Sequence, residues 1–125
     1  MIQIEDALRI HDILIVEFGG SSGVRDQGAL EAAINRPYGS FANSDLYPTP
    51  PEKAAAILQS IVGNHPFVDG NKRTGYVLMR LILLQSNFDI ESSEEDKYEL
   101  VIEISKGNLD FNEILEWIRN HLKIM

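Results

Sequence analysis

The chain has 125 residues, 44% of them hydrophobic, and a net charge of −8 from 19 acidic against 11 basic side chains. This length suits a single domain, residues 1–125, around one core, and the acidic balance argues against a general nucleic-acid binder, which carries the opposite excess. Cysteine is absent, which excludes disulfides and thiolate metal sites and agrees with a reducing, cytoplasmic setting.

The opening residues, Met1 to Asp6, lack the basic and then apolar pattern of a secretory leader. A first helix is predicted over about Ile4 to Phe18. Ile4, Ala7, Leu8, His11, Leu14, Ile15 and Phe18 fall on one face at the spacing of a buried stripe. Gly19 and Gly20 stop it, and a flexible turn follows through Gly23. A short helix over Gln27 to Asn35, capped by Asp26, comes next. Residues 37–49 keep neither a 2.0 nor a 3.6 period and read as a long loop, of a length that is often functional.

Thr49-Pro50-Pro51-Glu52 predicts a third helix start, with Thr49 as cap, Pro50 at the first position and Glu52 completing a capping box. Ala54, Ile57, Leu58, Ile61 and Val62 mark its buried side, and Gly63-Asn64 can end it. A fourth helix, about Lys72 to Gln85, is apolar on nearly every side and belongs in the middle of a bundle. Its most apolar run, Tyr76 to Leu84, contains Arg80 and is too short to span a bilayer. Asn87 to Ile90 reads as an extended link. Ser92 and Ser93 start a fifth helix bearing Tyr98, Val101 and Ile102. Asp110 starts a sixth bearing Ile114, Leu115, Ile118 and Leu122. The fold class is therefore all-α, six helices around one central buried helix, with no repeat or linker.

The segment His65-Pro66-Phe67-Val68-Asp69-Gly70-Asn71-Lys72-Arg73-Thr74 enters that central helix with an unusual density of polar groups. Pro66 moves His65 out of helical geometry. Phe67 is the one large apolar side chain here and can pin the loop to the core. Gly70 permits a tight turn. The helix that then begins offers free N–H groups and its positive dipole end to an anion. Lys72 and Arg73 stand where that dipole disfavours cations, a conflict that a bound phosphate resolves. Asp69 is a hard oxygen ligand suited to Mg²⁺ bridging phosphate oxygens. His65 carries the one side chain of the segment that ordinarily titrates near neutrality, which makes it the candidate general base. A base, a metal ligand and a phosphate cradle within ten residues are the parts that phosphoryl-type transfer needs.

Other readings of the same residues are weaker. Pro66 and Gly70 break the helix that would align His65 and Asp69 for zinc, and no second histidine is near. Gly70-Asn71-Lys72 lacks the spacing of a Walker A loop. His11, on an apolar face, reads as a hydrogen-bonded core histidine, and His121 as core or surface. Lys97, Lys106 and Lys123 read as ordinary solvated positions.

The segment resembles the signature of the Fic/Doc (Fido) family, His-(Pro)-Phe-x-(Asp/Glu)-(Gly/Ala)-Asn-(Gly/Lys)-Arg, matched by His65, Phe67, Asp69, Gly70, Asn71, Lys72 and Arg73. Ile10-His11-Asp12, the Gly19-Gly20 stop and Gly23-Val24-Arg25-Asp26 extend the likeness over most of the chain. It is nearest the Doc (death on curing) toxins of type II toxin–antitoxin systems. The resemblance implies that His65 deprotonates a Ser, Thr or Tyr hydroxyl of a target protein and that Asp69 holds Mg²⁺. Gly70, Asn71 and Lys72 would bind the phosphates of ATP, and Arg73 would neutralise the transferred charge. Typical Fic proteins have Gly where this chain has Lys72 and transfer AMP. Doc-type proteins have Lys there and are implied to transfer the γ-phosphate, with elongation factor Tu as target. Gly70 and Pro66 are shared with the AMP-transferring branch. Two alternatives therefore stand beside a kinase-type phosphotransferase: a protein adenylyltransferase and a non-catalytic interaction domain. The resemblance further implies a flap over residues 37–49, with Tyr38, Phe41 and Tyr47 able to dock the target. The self-inhibitory Ser/Thr-x-x-x-Glu-(Gly/Asn) pattern finds no match, since Ser92 leads to Asp96 and Ser93 to Lys97. A separate Phd-like antitoxin is the implied partner, with no nucleic acid or membrane contact.

Overall fold

The computed structural model covers residues 1–125. Six α-helices carry the architecture: α1 Ile4–Phe18, α2 Gln27–Asn35, α3 Pro50–Asn64, α4 Asn71–Leu84, α5 Glu94–Ser105 and α6 Phe111–Asn120. The fold is mainly α, as the apolar periodicities predict. The helix starts follow the capping residues. Asp26, Thr49, Ser93 and Asp110 each accept a hydrogen bond from a backbone N–H in the first turn. At Thr49 the expected reciprocal box is altered. The Glu52 carboxylate accepts a hydrogen bond from the Thr49 hydroxyl, at 2.7 Å, and not from a backbone N–H.

α3 and α4 form the centre. Their sides meet so closely at Gly75 that an added Cβ would lie 2.7 Å from Val62 Cγ2 and 3.3 Å from Ile61. The core of 23 buried residues runs from Ile2 through Leu30, Ile57, Leu58, Phe67, Leu78 and Met79 to Ile114 and Ile118. No helix is long and apolar enough to cross a membrane.

Three expectations change. Residues 37–49 are not a featureless loop. A 3₁₀ turn, Arg36–Tyr38, leads into a small antiparallel hairpin of β1 Ser40–Phe41 and β2 Ser44–Asp45. Its two turn residues, Ala42 and Asn43, both have positive φ, 51° and 65°, the conformation of a type I′ hairpin turn. Strands of two residues are too short to show a period, so the sequence pattern missed them. The link before α5 is a strand, β3 Phe88–Ile90, paired antiparallel with β4 Leu122–Ile124. Leu122 therefore belongs to β4 and not to α6. The last helix stops at Asn120 because His121 leaves helical geometry and the chain turns back toward β3.

The first-helix stripe is only partly buried. Ala7 and His11 are enclosed, whereas Phe18 at the C-terminal end is 55% exposed. On α5, Leu100, Val101 and Ile104 are buried, but Tyr98 is 67% exposed. Both departures have one cause: these ends of α1 and α5 border an open cleft, not core.

Candidate active site

The cleft, of about 660 Å³, lies between the entrance of α4 and the facing sides of α1 and α5. One wall is Asp69, Gly70, Asn71, Lys72 and Arg73, and the other includes Phe18, Lys97 and Tyr98. The predicted phosphate segment thus opens onto this cleft.

Gly70 caps α4 in the left-handed region, φ 74° and ψ 18°, where a Cβ is strained and would also approach Ile15 at 3.1 Å. No side chain caps this helix. The backbone N–H groups of Asn71, Lys72 and Arg73 find no acceptor in the protein, so three donors stay open at the positive end of the dipole. Neither Lys72 nor Arg73 is paired with a carboxylate within 4.0 Å. The Arg73 guanidinium lies 4.4 Å above the centroid of the Phe18 ring, a contact that places the cation without neutralising it.

Asp69 is held from both sides. Its Oδ2 accepts the Ser21 N–H at 3.1 Å, and its Oδ1 accepts its neighbour Gly70's N–H at 2.8 Å. These bonds, that of Ser21 first, keep its carboxyl below the usual carboxylate range. Gly20 permits this approach, since a Cβ there would stand 2.8 Å from Asp69 Oδ2. No cluster of three metal-ligating side chains exists. Asp69 is a lone carboxylate, charged and exposed, beside a row of open N–H donors.

Asn71 does not present its amide to the cleft. Its Oδ1 accepts the Phe67 N–H at 2.9 Å and its Nδ2 donates to the Phe67 carbonyl at 3.0 Å. Both polar atoms are committed to closing the loop, so Asn71 offers an anion only its backbone N–H. Phe67 is fully buried, as expected of a pin. Its ring stacks on that of His11, with centroids 3.9 Å apart and planes 6° from parallel. His11 is a satisfied core histidine, but its partner is informative: Nε2 donates to the Asp69 carbonyl at 2.8 Å. The same ring supports Phe67 and anchors Asp69.

His65 terminates α3 as a left-handed C-cap, φ 50° and ψ 58°, not in the extended form that proline favours for the residue before it. Its ring is half-buried, makes no hydrogen bond, and stands outside the cleft lining, four residues upstream of Asp69. The predicted base is close in sequence to the cradle but is not part of the cavity wall.

The flap residues divide. Phe41 is 76% exposed. Tyr38 and Tyr47 are half-buried fasteners: the Tyr38 hydroxyl accepts the Ile2 N–H at 2.8 Å, and the Tyr47 hydroxyl accepts Arg36 Nε–H at 2.9 Å. Of the three, only Phe41 has a free side chain.

Sequence reasoning missed the far wall. Lys97, read as a solvated lysine, is half-buried with its ammonium 4.7 Å over the Tyr76 ring, and both residues line the cleft. It also missed the 20–26 loop, which is pinned and not a flexible turn. Arg25 and Asp26 N–H groups both donate to the Pro66 carbonyl, at 2.8 and 3.0 Å, and Val68 N–H donates to Gly23 at 3.0 Å.

The model of the Fic/DOC family matches residues 1–83. The chain belongs to the Fic/DOC family. It is 38% identical over 105 residues to a protein named Toxin Doc from Mycolicibacterium smegmatis, covering 79% of this chain and 78% of that relative. It is 28% identical over 118 residues to Protein kinase doc of Escherichia phage P1, covering 92% and 90%. The matched family region ends inside α4, so it includes the whole cradle but not the α5 wall.

Proposed function

We propose that this Fic/DOC protein is a Doc-like toxin that transfers the γ-phosphate of ATP to a Ser, Thr or Tyr hydroxyl of a target protein. The observation that carries this reading is the cleft wall itself: three open N–H donors, two unneutralised cations and one ionised carboxylate side by side. A polyphosphate satisfies the donors and the two cations at once, and the carboxylate suits a divalent cation carried with it. The kinase assignment draws on the name of the phage relative and the toxin assignment on that of the mycobacterial one.

In this reading His65 accepts the proton of the incoming hydroxyl as its oxygen attacks the γ-phosphorus. The bond from that phosphorus to the bridging oxygen of ADP breaks, ADP leaves, and the proton on His65 passes to solvent. Lys72, Arg73 and the N–H groups of Asn71 and Lys72 hold the phosphoryl oxygens and keep ADP oriented. Positioning and charge neutralisation are most of what such transfer asks of a protein. Asp69 fits Mg²⁺ in the role a single carboxylate can play, as one ligand of an ion whose other positions belong to water and nucleotide phosphates. Bound there, the ion would offset phosphate charge.

By the family resemblance, the target is an elongation factor Tu-like translation factor, and a Phd-like antitoxin masks the site. Expression without an antitoxin is expected to arrest bacterial growth.

Incubation with Mg²⁺-ATP and a bacterial lysate, followed by intact-mass analysis of the modified protein, tests the reaction. One added phosphate is expected. An added AMP would instead assign the adenylyltransferase chemistry, which Gly70 and Pro66 share with the Fic branch. His65→Ala should lower transfer about 10²–10⁴-fold; full activity in that chain removes the base assignment, and retained growth arrest with it favours a non-catalytic interaction domain. Lys72→Gly is expected to shift the product toward AMP, and an unchanged product shows that Lys72 is not the selector.

A further inference from the structure

We propose that Arg25 is a positioning residue for His65, and that the 20–26 loop is the template on which the whole 64–69 segment is laid. The inference rests on the reading of His65 as the base. It starts from a gap in the site: the His65 ring has no hydrogen-bond partner of its own, so its aim depends on where the backbone puts it.

That backbone is strained. A non-glycine residue at φ 50° persists only when its surroundings over-determine it. Arg25 supplies the determination. Its Nε donates to the His65 carbonyl at 2.6 Å and its Nη2 to the Asn64 carbonyl at 2.7 Å. These consecutive carbonyls are among those the end of α3 leaves without helical partners, and a cation suits the negative end of the dipole. Arg25 has no carboxylate within 4.0 Å in a chain with 19 acidic side chains. Its charge is directed at backbone.

The rest of the loop repeats the pattern residue by residue. Ser21 donates to Asp69, Gly23 accepts from Val68, Val24 bridges Phe67, and the Arg25 and Asp26 N–H groups share the Pro66 carbonyl. The contacts at Pro66, Phe67 and Val68 are main chain to main chain. Removing the guanidinium alone therefore leaves the loop docked and releases only the turn at Asn64-His65. Lysine can replace it only in part, because one ammonium does not present two fixed parallel donors.

The test uses the full chain with Mg²⁺ and ATP labelled at either the α or the γ position, and reads transfer to lysate protein. Arg25→Ala is expected to lower kcat about tenfold to a hundredfold, the scale of a misplaced reacting group, with the KM for ATP unchanged. Its Tm should fall by no more than about 5 °C. Arg25→Lys should recover part of the loss. Millimolar methylguanidinium should raise the rate of the Arg25→Ala chain and do nothing for His65→Ala. Wild-type kcat in Arg25→Ala alongside an inactive His65→Ala overturns the inference and leaves the base intact. A raised KM with unchanged kcat also overturns it, by moving Arg25 to the nucleotide. An active His65→Ala chain overturns the base itself. If the alanine chain does not fold, Arg25→Gln is judged by the same criteria. A measurement without substrate runs in parallel: the His65 imidazole resonance should broaden in Arg25→Gln, while that of His121 stays put. An unperturbed His65 signal counts against the proposal.

Discussion

Helix α4 carries three basic side chains, and its two ends treat them oppositely. Arg80, toward the C-terminal end, is closed. Its Nε and Nη2 each donate to Asp89 at 2.8 Å in a bidentate pair, and Asp89 Oδ1 also accepts its own neighbour Ile90's N–H. Lys72 and Arg73, at the N-terminal end, are open, with no carboxylate within 4.0 Å and no side chain capping the helix. The first arrangement fastens β3 to the bundle. The second leaves positive charge where the helix dipole already concentrates it, which destabilises the empty protein and favours an anion. One helix thus carries a cation for which a partner has been provided and two for which none has.

The sharpest way to break this contrast is to delete the open cation. Arg73→Ala should cost about 10²-fold in transfer, with Tm unchanged within about 2 °C, since no ion pair is lost. A large drop in Tm with activity retained would make Arg73 structural and erase the distinction. The converse variant, Arg80→Ala, should leave ATP turnover per folded molecule unchanged. It should destabilise by about 2 kcal/mol, because Asp89, whose side chain is only 11% exposed, is left with a single backbone donor. Chemical denaturation reads that value directly; a loss below about 0.5 kcal/mol would mean the pair fastens nothing.

Acid sharpens the same comparison. The Arg80 guanidinium beside Asp89 brings its carboxyl down to about 2, from about 3.9 in an unfolded chain. A depressed folded value means stability fully present above about pH 4 and lost as pH falls through about 2. With Arg80 partly in water, the contribution is about 1–2 kcal/mol. Stability measured from pH 5 to 2 should fall less steeply in Arg80→Ala than in the wild type. Identical slopes would show that the pair is not the group being titrated.

The open end of α4 was legible in the sequence and the closed end was not, for a physical reason. His65 to Arg73 is contiguous, so its density of polar groups stands out before a long apolar run. The Arg80–Asp89 pair depends on β3 folding back along α4, and β3 depends on β4 more than thirty residues away. Local pattern cannot show such a return. The helices were readable because each declares its own cap and stripe. The cleft was half readable. The α4 wall is one segment, but the opposite wall takes Phe18 from α1 and Lys97 and Tyr98 from α5, which only packing unites. The sequence pattern placed Phe18 and Tyr98 on apolar stripes, and only the structure shows them 55% and 67% exposed at the cleft. Asn71 shows the opposite limit. Its residue type fits a phosphate contact, and only geometry reveals that both amide atoms hold Phe67.

The finest test concerns how an open cation is kept in place. Arg73 rests on the face of Phe18, a ring itself 55% exposed. A cation–π contact at such a site is worth about 0.5–1 kcal/mol, enough to bias the guanidinium toward the cleft but not to compensate its charge. Phe18→Ala should therefore lower kcat/KM for ATP only about two- to fivefold, and Phe18→Trp should match or exceed the wild type. Combining Phe18→Ala with Arg73→Ala should cost no more than Arg73→Ala alone, since the ring acts through the cation. An additive double variant would show that Phe18 touches the substrate independently, and the apolar wall would then belong to recognition in its own right.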